Sequence, residues 1–145
     1  MSSTSTSSTS TPRTAPRPHT LVPYLAVTGG VAALDFYARA FGAVETSRML
    51  ADDGRVAHSE MTIGGAQVYL SDEWPELEVR SPCTLGGHSV SLVLEVDDAD
   101  AFVTHLARSG VRVEREVGPG PEPGTRAGWV IDPYGHRWHV WSATG

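Results

Sequence analysis

His58 and Glu60 stand two residues apart in the segment Asp53-Gly-Arg-Val-Ala-His-Ser-Glu60. On a β-strand that spacing sends both side chains from one face, roughly 7 Å apart along it. An imidazole that titrates near neutral pH beside a carboxylate has the make-up of a general acid–base pair. With His139 the same two groups could instead hold a divalent metal, which needs three or more converging N or O ligands. The plainer alternative is a polar pair that serves structure only, or a strand face turned to water.

The same alternation picks out further candidates. If Leu25 and Val27 lie under a helix, together with Leu21 and Pro23, then Val22, Tyr24 and Ala26 face the other way. In the next hairpin Ala57, Ser59, Met61 and Ile63 share one face, and Val56, His58, Glu60 and Thr62 the other. Gln67, Tyr69 and Ser71 join the second set, as do Ser91, Val93 and Glu95, and then Arg137, His139 and Trp141. Tyr24, Tyr69, Ser91, Glu95, Arg137, His139, Trp141 and Trp129 are the candidate ligand-binding residues, and His58 and Glu60 the candidate catalytic ones. Trp138 belongs to the core side. Trp74 could cap a cavity or meet a second copy. His136 is expected to bond backbone, His88 to be a loop residue, and His105 to ride on an exposed helix face. Arg126 is expected in a Gly/Pro loop, either solvated or clamping an anion at a rim.

Two similar halves position these residues. Tyr24 to Ala43 and Val93 to Val111 each read as strand, turn and helix, with Ala38-Arg39 matching Ala107-Arg108. Val31, Leu34, Phe36, Tyr37, Ala40 and Phe41 form an apolar stripe that ends at Gly42. Ala99, Phe102, Val103, Leu106 and Ala107 form another that ends before Gly110. Arg55–Ile63 and Ala66–Ser71 make a hairpin around Gly64-Gly65. Val111–Val117, Trp129–Asp132 and Arg137–Ser142 are the later strands, with a loop over Gly118–Gly128 whose Pro119–Gly124 part could move as a lid. Each half is therefore β-α-β-β-β. Residues 1–19, rich in Ser, Thr and Pro, form a disordered tail. Residues 20–145 form one domain: module one about 20–72, a linker about 73–87, module two about 88–145.

Composition excludes several chemistries. The chain has 145 residues, 40% hydrophobic and 19% charged, which suits one globular domain. All 11 basic residues are Arg, so no lysine Schiff base or P-loop lysine exists. The single cysteine, Cys83, forbids an intrachain disulfide or a multi-cysteine zinc site. A net charge of −6 argues against nucleic acid and, by itself, favours a cationic or neutral guest. No run approaches the about 18 apolar residues that span a membrane, and no signal sequence is evident. The cytoplasm is the expected compartment.

Four local words carry a family resemblance: Asp35-Phe-Tyr-Ala-Arg-Ala-Phe-Gly42, Asp53-Gly-Arg-Val-Ala-His-Ser-Glu60, Ser81-Pro82 with Leu85-Gly86-Gly87, and Asp132-Pro-Tyr-Gly-His-Arg-Trp138. With them the chain resembles the vicinal oxygen chelate superfamily, the glyoxalase/bleomycin-resistance/dioxygenase group, in its PhnB-like branch. The resemblance covers about residues 21–142. It implies an α+β fold in which paired βαβββ modules form a curled mixed sheet around a cavity, with helices on the convex side, and often a homodimer. The superfamily's metalloenzymes carry four ligands, which by this likeness fall near Val22, Tyr69, Ser91 and at His139. Only His139 is a strong ligand, so no cofactor is expected, with a divalent metal on His58, Glu60 and His139 as the alternative. The implied function is small-molecule binding between the modules, as in bleomycin-resistance proteins. The alternative is a glyoxalase- or dioxygenase-like enzyme, either metal-free through His58/Glu60 or with that relocated metal.

Overall fold

The first half begins with an apolar strand too short to bury itself alone. In the computed structural model, which describes residues 15–144, β1 spans Tyr24–Val27, and only Leu25 and Val27 turn inward. The expectation that Leu21 lies under a helix fails: it precedes the strand and is 95% exposed. Residues 15–19 of the expected tail are exposed and form no helix or strand, and residues 1–14 lie outside the described residues.

Helix α1 (Gly30–Phe41) buries its apolar stripe through Leu34, Phe36, Tyr37, Ala40 and Phe41, and ends at Gly42 in the left-handed conformation that glycine tolerates. Strands β2 (Val44–Leu50), β3 (Val56–Ile63) and β4 (Ala66–Asp72) follow, and the sheet order is β1-β4-β3-β2 with β1 parallel to β4. The linker is not bare loop. It holds a 3-10 turn (Pro75–Leu77) and the one-turn helix α2 (Pro82–Leu85), started by Pro82 and capped by the Ser81 hydroxyl, which accepts from the Thr84 amide.

Module two repeats the plan. Strand β5 (Ser91–Glu95) leads into α3 (Ala99–Arg108), then β6 (Arg112–Pro119), β7 (Thr125–Ile131) and β8 (Arg137–Ala143), in the order β5-β8-β7-β6. The expected loop over Gly118–Gly128 is mostly strand. Only residues 120–124 turn, because Gly128 lets β6 and β7 approach: a Cβ there would sit 2.9 Å from Val117 Cγ2 and 3.0 Å from the Arg115 carbonyl oxygen.

The two modules solve the same capping problem at the end of their last strand. Asp72 accepts from the Gly29 and Gly30 amides at the start of α1, 3.0 and 2.9 Å, and from the Val56 amide, 2.7 Å. Ser142 accepts from the Ala99 amide at the start of α3, 2.9 Å. Gly30 is required by this closeness, since a Cβ would lie 2.6 Å from Asp72 Oδ2.

The modules share one core. Phe41 lies tilted against Trp138 with centroids 4.5 Å apart, and Phe36 meets Tyr134. The buried Asp132 carboxylate accepts from the Tyr37 hydroxyl (2.5 Å), Trp138 Nε1 (2.8 Å) and the amides of Tyr134 and His136. The Asp-Pro-Tyr-Gly turn is thereby bolted to α1 of the other module. His136 Nε2 bonds the Ala26 carbonyl, as expected of it. His105 rides on an exposed face of α3, as expected, and from there its Nε2 also bonds backbone, the Ala40 carbonyl at 3.0 Å. Among the described residues no helix is long and apolar enough to cross a membrane.

Candidate functional site

With the helices taking one face of each sheet, the opposite faces carry the candidate side chains. On module one β-bulges aim them. Strand β3 pairs Leu50 with Val56 and Met49 with His58, so Ala57 is an extra residue. Val56 is therefore fully buried, not on the His58 side as strict alternation predicts, and Ala57 faces the concave side with His58. From Ser59 onward the alternation is regular, and Glu60 falls beside Tyr69, which pairs in turn with Tyr24.

The result is one chain of hydrogen bonds. Tyr24 OH lies 2.7 Å from His58 Nδ1, and His58 Nε2 lies 2.9 Å from Glu60 Oε2. A carboxylate only accepts, so it assigns the proton to Nε2 and leaves Nδ1 to accept from the tyrosine. Tyr24 stands edge-on to Tyr69, and His58 edge-on to both. Burial, helped by the Glu60 charge and opposed by a Ser71 hydrogen bond, raises the Tyr24 hydroxyl above the ordinary tyrosine range, so it keeps its proton. Next to this chain a cavity of about 570 Å³ is walled by Tyr24, Ala26, Ala57, Ser71, Trp74, Leu77 and Val79. Trp74 thus does lie over a cavity. The Arg55 guanidinium sits 3.6 Å from its ring centroid and is itself paired with Asp53 and Glu76.

On module two Arg115, Trp129, His139 and Val93 form a row across the sheet. Arg137, two residues before His139, lies with its guanidinium 4.0 Å from the Trp129 centroid and pairs with Glu114 at 3.2 Å. Arg115 lies 5.0 Å from the same ring, and His139 stands edge-on to it. Partial burial, then the charges of Arg137 and Arg115, lower the His139 pKa below the usual histidine value, so the ring is neutral at neutral pH. Trp141 and His139 share a cavity of about 230 Å³ with Val93, Glu122 and Thr125. Ser91 and Glu95 project from the exposed edge strand β5.

The candidates thus gather into two groups. Tyr24, His58, Glu60 and Tyr69 meet on module one; Trp129, Arg137, His139 and Trp141 meet on module two. The cavities lined by His139 take all their walls from module two. His58, Glu60 and His139 are not brought together within the chain: among the described residues no three His, Cys, Asp or Glu side chains converge. The parallel pairs set Tyr24 against Tyr69 and Val93 against His139, not Val22 and Ser91. Those four positions offer one imidazole, two phenols and an alkyl group, a donor set that does not fit a four-ligand metal site.

Two residues escaped the sequence reading. Arg115 is turned to the concave face by a bulge at Glu114, because Val113 pairs with Val130 while Arg115 pairs with Trp129. Counting by twos from the core-packed Val113 puts Arg115 on the helix side, so no local signal reveals it. Arg55 shows its role only once the linker folds back. Arg126 lies in β7 rather than in a loop, and at the solvated surface it grips Asp100 through two hydrogen bonds of 2.8 and 3.1 Å.

This fold has known relatives. The model of the Glyoxalase/Bleomycin resistance protein/Dioxygenase superfamily matches residues 18–140. The chain belongs to that superfamily. It is 36% identical over 123 residues to an uncharacterized protein of Mycobacterium bovis, covering 83% of this chain and 80% of the relative. Among solved structures it is similar to TioX from Micromonospora sp. ML1, with TM-score 0.64, 24% identity, and 88% and 98% of the two chains covered. It is also similar to the PhnB protein from Bacillus cereus, described as a putative 3-demethylubiquinone-9 3-methyltransferase, with TM-score 0.66, 21% identity, and 86% and 100% covered. These structural likenesses establish the two-sheet α+β fold.

Proposed function

We propose that this superfamily member is a small-molecule-binding protein of the PhnB-like kind, without the metal quartet of the superfamily's metalloenzymes. It acts as a cytoplasmic homodimer in which the concave faces of two modules enclose the guest. The observation that carries this reading is the make-up of the paired positions Tyr24–Tyr69 and Val93–His139, where a metal would find one strong ligand. Aromatic walls with a few fixed polar groups suit an organic guest. The dimer is supported by concave faces left open in the single chain, with Tyr24 53% and Val93 64% exposed. The free, exposed Cys83 is at home in a reducing compartment.

A second reading rests on the Tyr24–His58–Glu60 chain. Glu60 fixes the imidazole's tautomer and would stabilise its protonated form, as the third member of a catalytic triad does. A substrate group that takes the place of the Tyr24 hydroxyl would meet Nδ1 as a general base. On this reading the protein is a metal-free enzyme of the glyoxalase/dioxygenase group.

The deciding experiment uses the full chain purified without an affinity tag. Metal content is measured by elemental mass spectrometry, molar mass by light scattering, and guest binding by tryptophan fluorescence. Substoichiometric metal, a dimer mass and saturable quenching that weakens in Trp141→Ala support the binder. Stoichiometric metal lost in His58→Ala or His139→Ala overturns it. Turnover that follows a single basic group and vanishes in His58→Gln favours the second reading.

A further inference from the structure

The whole chain is acidic, yet one end of the concave face of module two gathers two guanidiniums about a single indole. The Trp129 indole is the post for two guanidiniums, Arg137 at 4.0 Å and Arg115 at 5.0 Å. Glu114 neutralises Arg137. Among the described residues Arg115 has no carboxylate partner, and it stands at the wall of a cavity of about 310 Å³ with Pro119, Pro121, Ala127 and His139. Besides Glu114, the acids Glu95 and Glu122 belong to the other end of this face, near Trp141.

We propose that this cavity is an anion subsite that takes a small organic carboxylate, gripped by Arg115 while its carbon body lies against Pro119, Pro121 and Ala127. A guanidinium presents two parallel N–H donors that match a carboxylate's two oxygens, and a lysine could not make that fork. The cation–π contact with Trp129 restrains the Arg115 guanidinium before the guest arrives, which lowers the ordering cost of binding. A neutral His139 beside the site adds a hydrogen-bond donor without a like charge to repel Arg115; partial burial, then the charges of Arg137 and Arg115, keep that ring neutral. Volume limits the body to about one ring, since 310 Å³ is at the small end of ligand sites. The inference deepens the small-molecule reading above by naming the charge of the guest.

The test uses benzoate as the probe and benzamide as its neutral match, followed by NMR on the full chain through the His139 ring and the Trp129 indole N–H. Benzoate is expected to shift both saturably, to bind more tightly than benzamide, and to weaken with added salt. Arg115→Gln should weaken benzoate about ten- to hundredfold, the worth of one charge-assisted contact, and leave benzamide unchanged. Arg115→Lys, which keeps the charge but not the fork, should fall between. Equal binding of benzoate and benzamide, or equal affinity in Arg115→Gln, overturns the anion subsite while the small-molecule reading stands. No saturable shift from either probe overturns the subsite as well, and that reading then meets its own test through metal content and molar mass.

Discussion

Asp132→Ala should be the most damaging single change outside the hydrophobic core. The carboxylate is 3% exposed and accepts four hydrogen bonds. Two of its donors, the Tyr37 hydroxyl and the Trp138 indole N–H, are buried and have no water to turn to. Orphaning a buried donor costs about 1–3 kcal/mol. The two backbone amides, at half-buried residues, can reach solvent. Two orphaned donors then cost about 2–6 kcal/mol, with the central part of that range at about 3–4 kcal/mol. At about 4 °C per kcal/mol for an ordered domain of this size, Tm falls by about 12–16 °C. Chemical denaturation of the wild type, Asp132→Ala, Tyr37→Phe and the double variant measures the coupling. Because Tyr37→Phe removes one orphan, the double variant should recover about 1 kcal/mol or more relative to additivity. A loss below about 1 kcal/mol in Asp132→Ala, or strict additivity, refutes the claim that this carboxylate joins the modules.

Three further outcomes follow from the same geometry. Gly30→Ala inserts a Cβ 2.6 Å from Asp72 Oδ2 and 2.7 Å from Val56 Cγ2. It should lower stability by about 2 kcal/mol or more, although alanine gains about 1 kcal/mol of helix propensity; a neutral effect in a denaturant titration argues against the tight cap. His139 should titrate below the ordinary histidine value by NMR and move up in Arg115→Gln. The unfolded chain takes its proton first, so this residue's contribution to stability is intact above about pH 6.5 and is lost as pH falls toward the folded pKa. A titration unmoved by Arg115→Gln contradicts the shared field. Arg55→Ala should free the Trp74 ring, red-shifting its fluorescence and costing about 0.5–1 kcal/mol; an unchanged spectrum means the linker is held by other contacts.

Much of the scaffold was legible in the sequence, because it follows from periodicity and punctuation. The stripe from Leu34 to Phe41 with its Gly42 stop, the Gly64-Gly65 hairpin and the Asp132–Gly135 turn each name their own structure locally. Alternation also put Glu60, Tyr69, His139 and Trp141 on their observed face. It failed where a strand gains a residue. Val56 and Arg115 are displaced by bulges at Ala57 and Glu114, and a bulge is decided by the pairing partner, not by the strand's own composition. That the two modules' candidates do not share a single cavity within the chain was also beyond the sequence. It depends on where two sheets lie in space, and within one chain each sheet keeps its own set.

The polar ties between the halves, from Tyr37 to Asp132, His105 to Ala40 and His136 to Ala26, avoid the concave side chains altogether. The residues that tie the modules together and the candidate site residues are therefore different ones. Mutational drift on the open faces can change their chemistry with little penalty to folding, so descendants of one ancestral scaffold can diverge there while their rear bolts stay fixed.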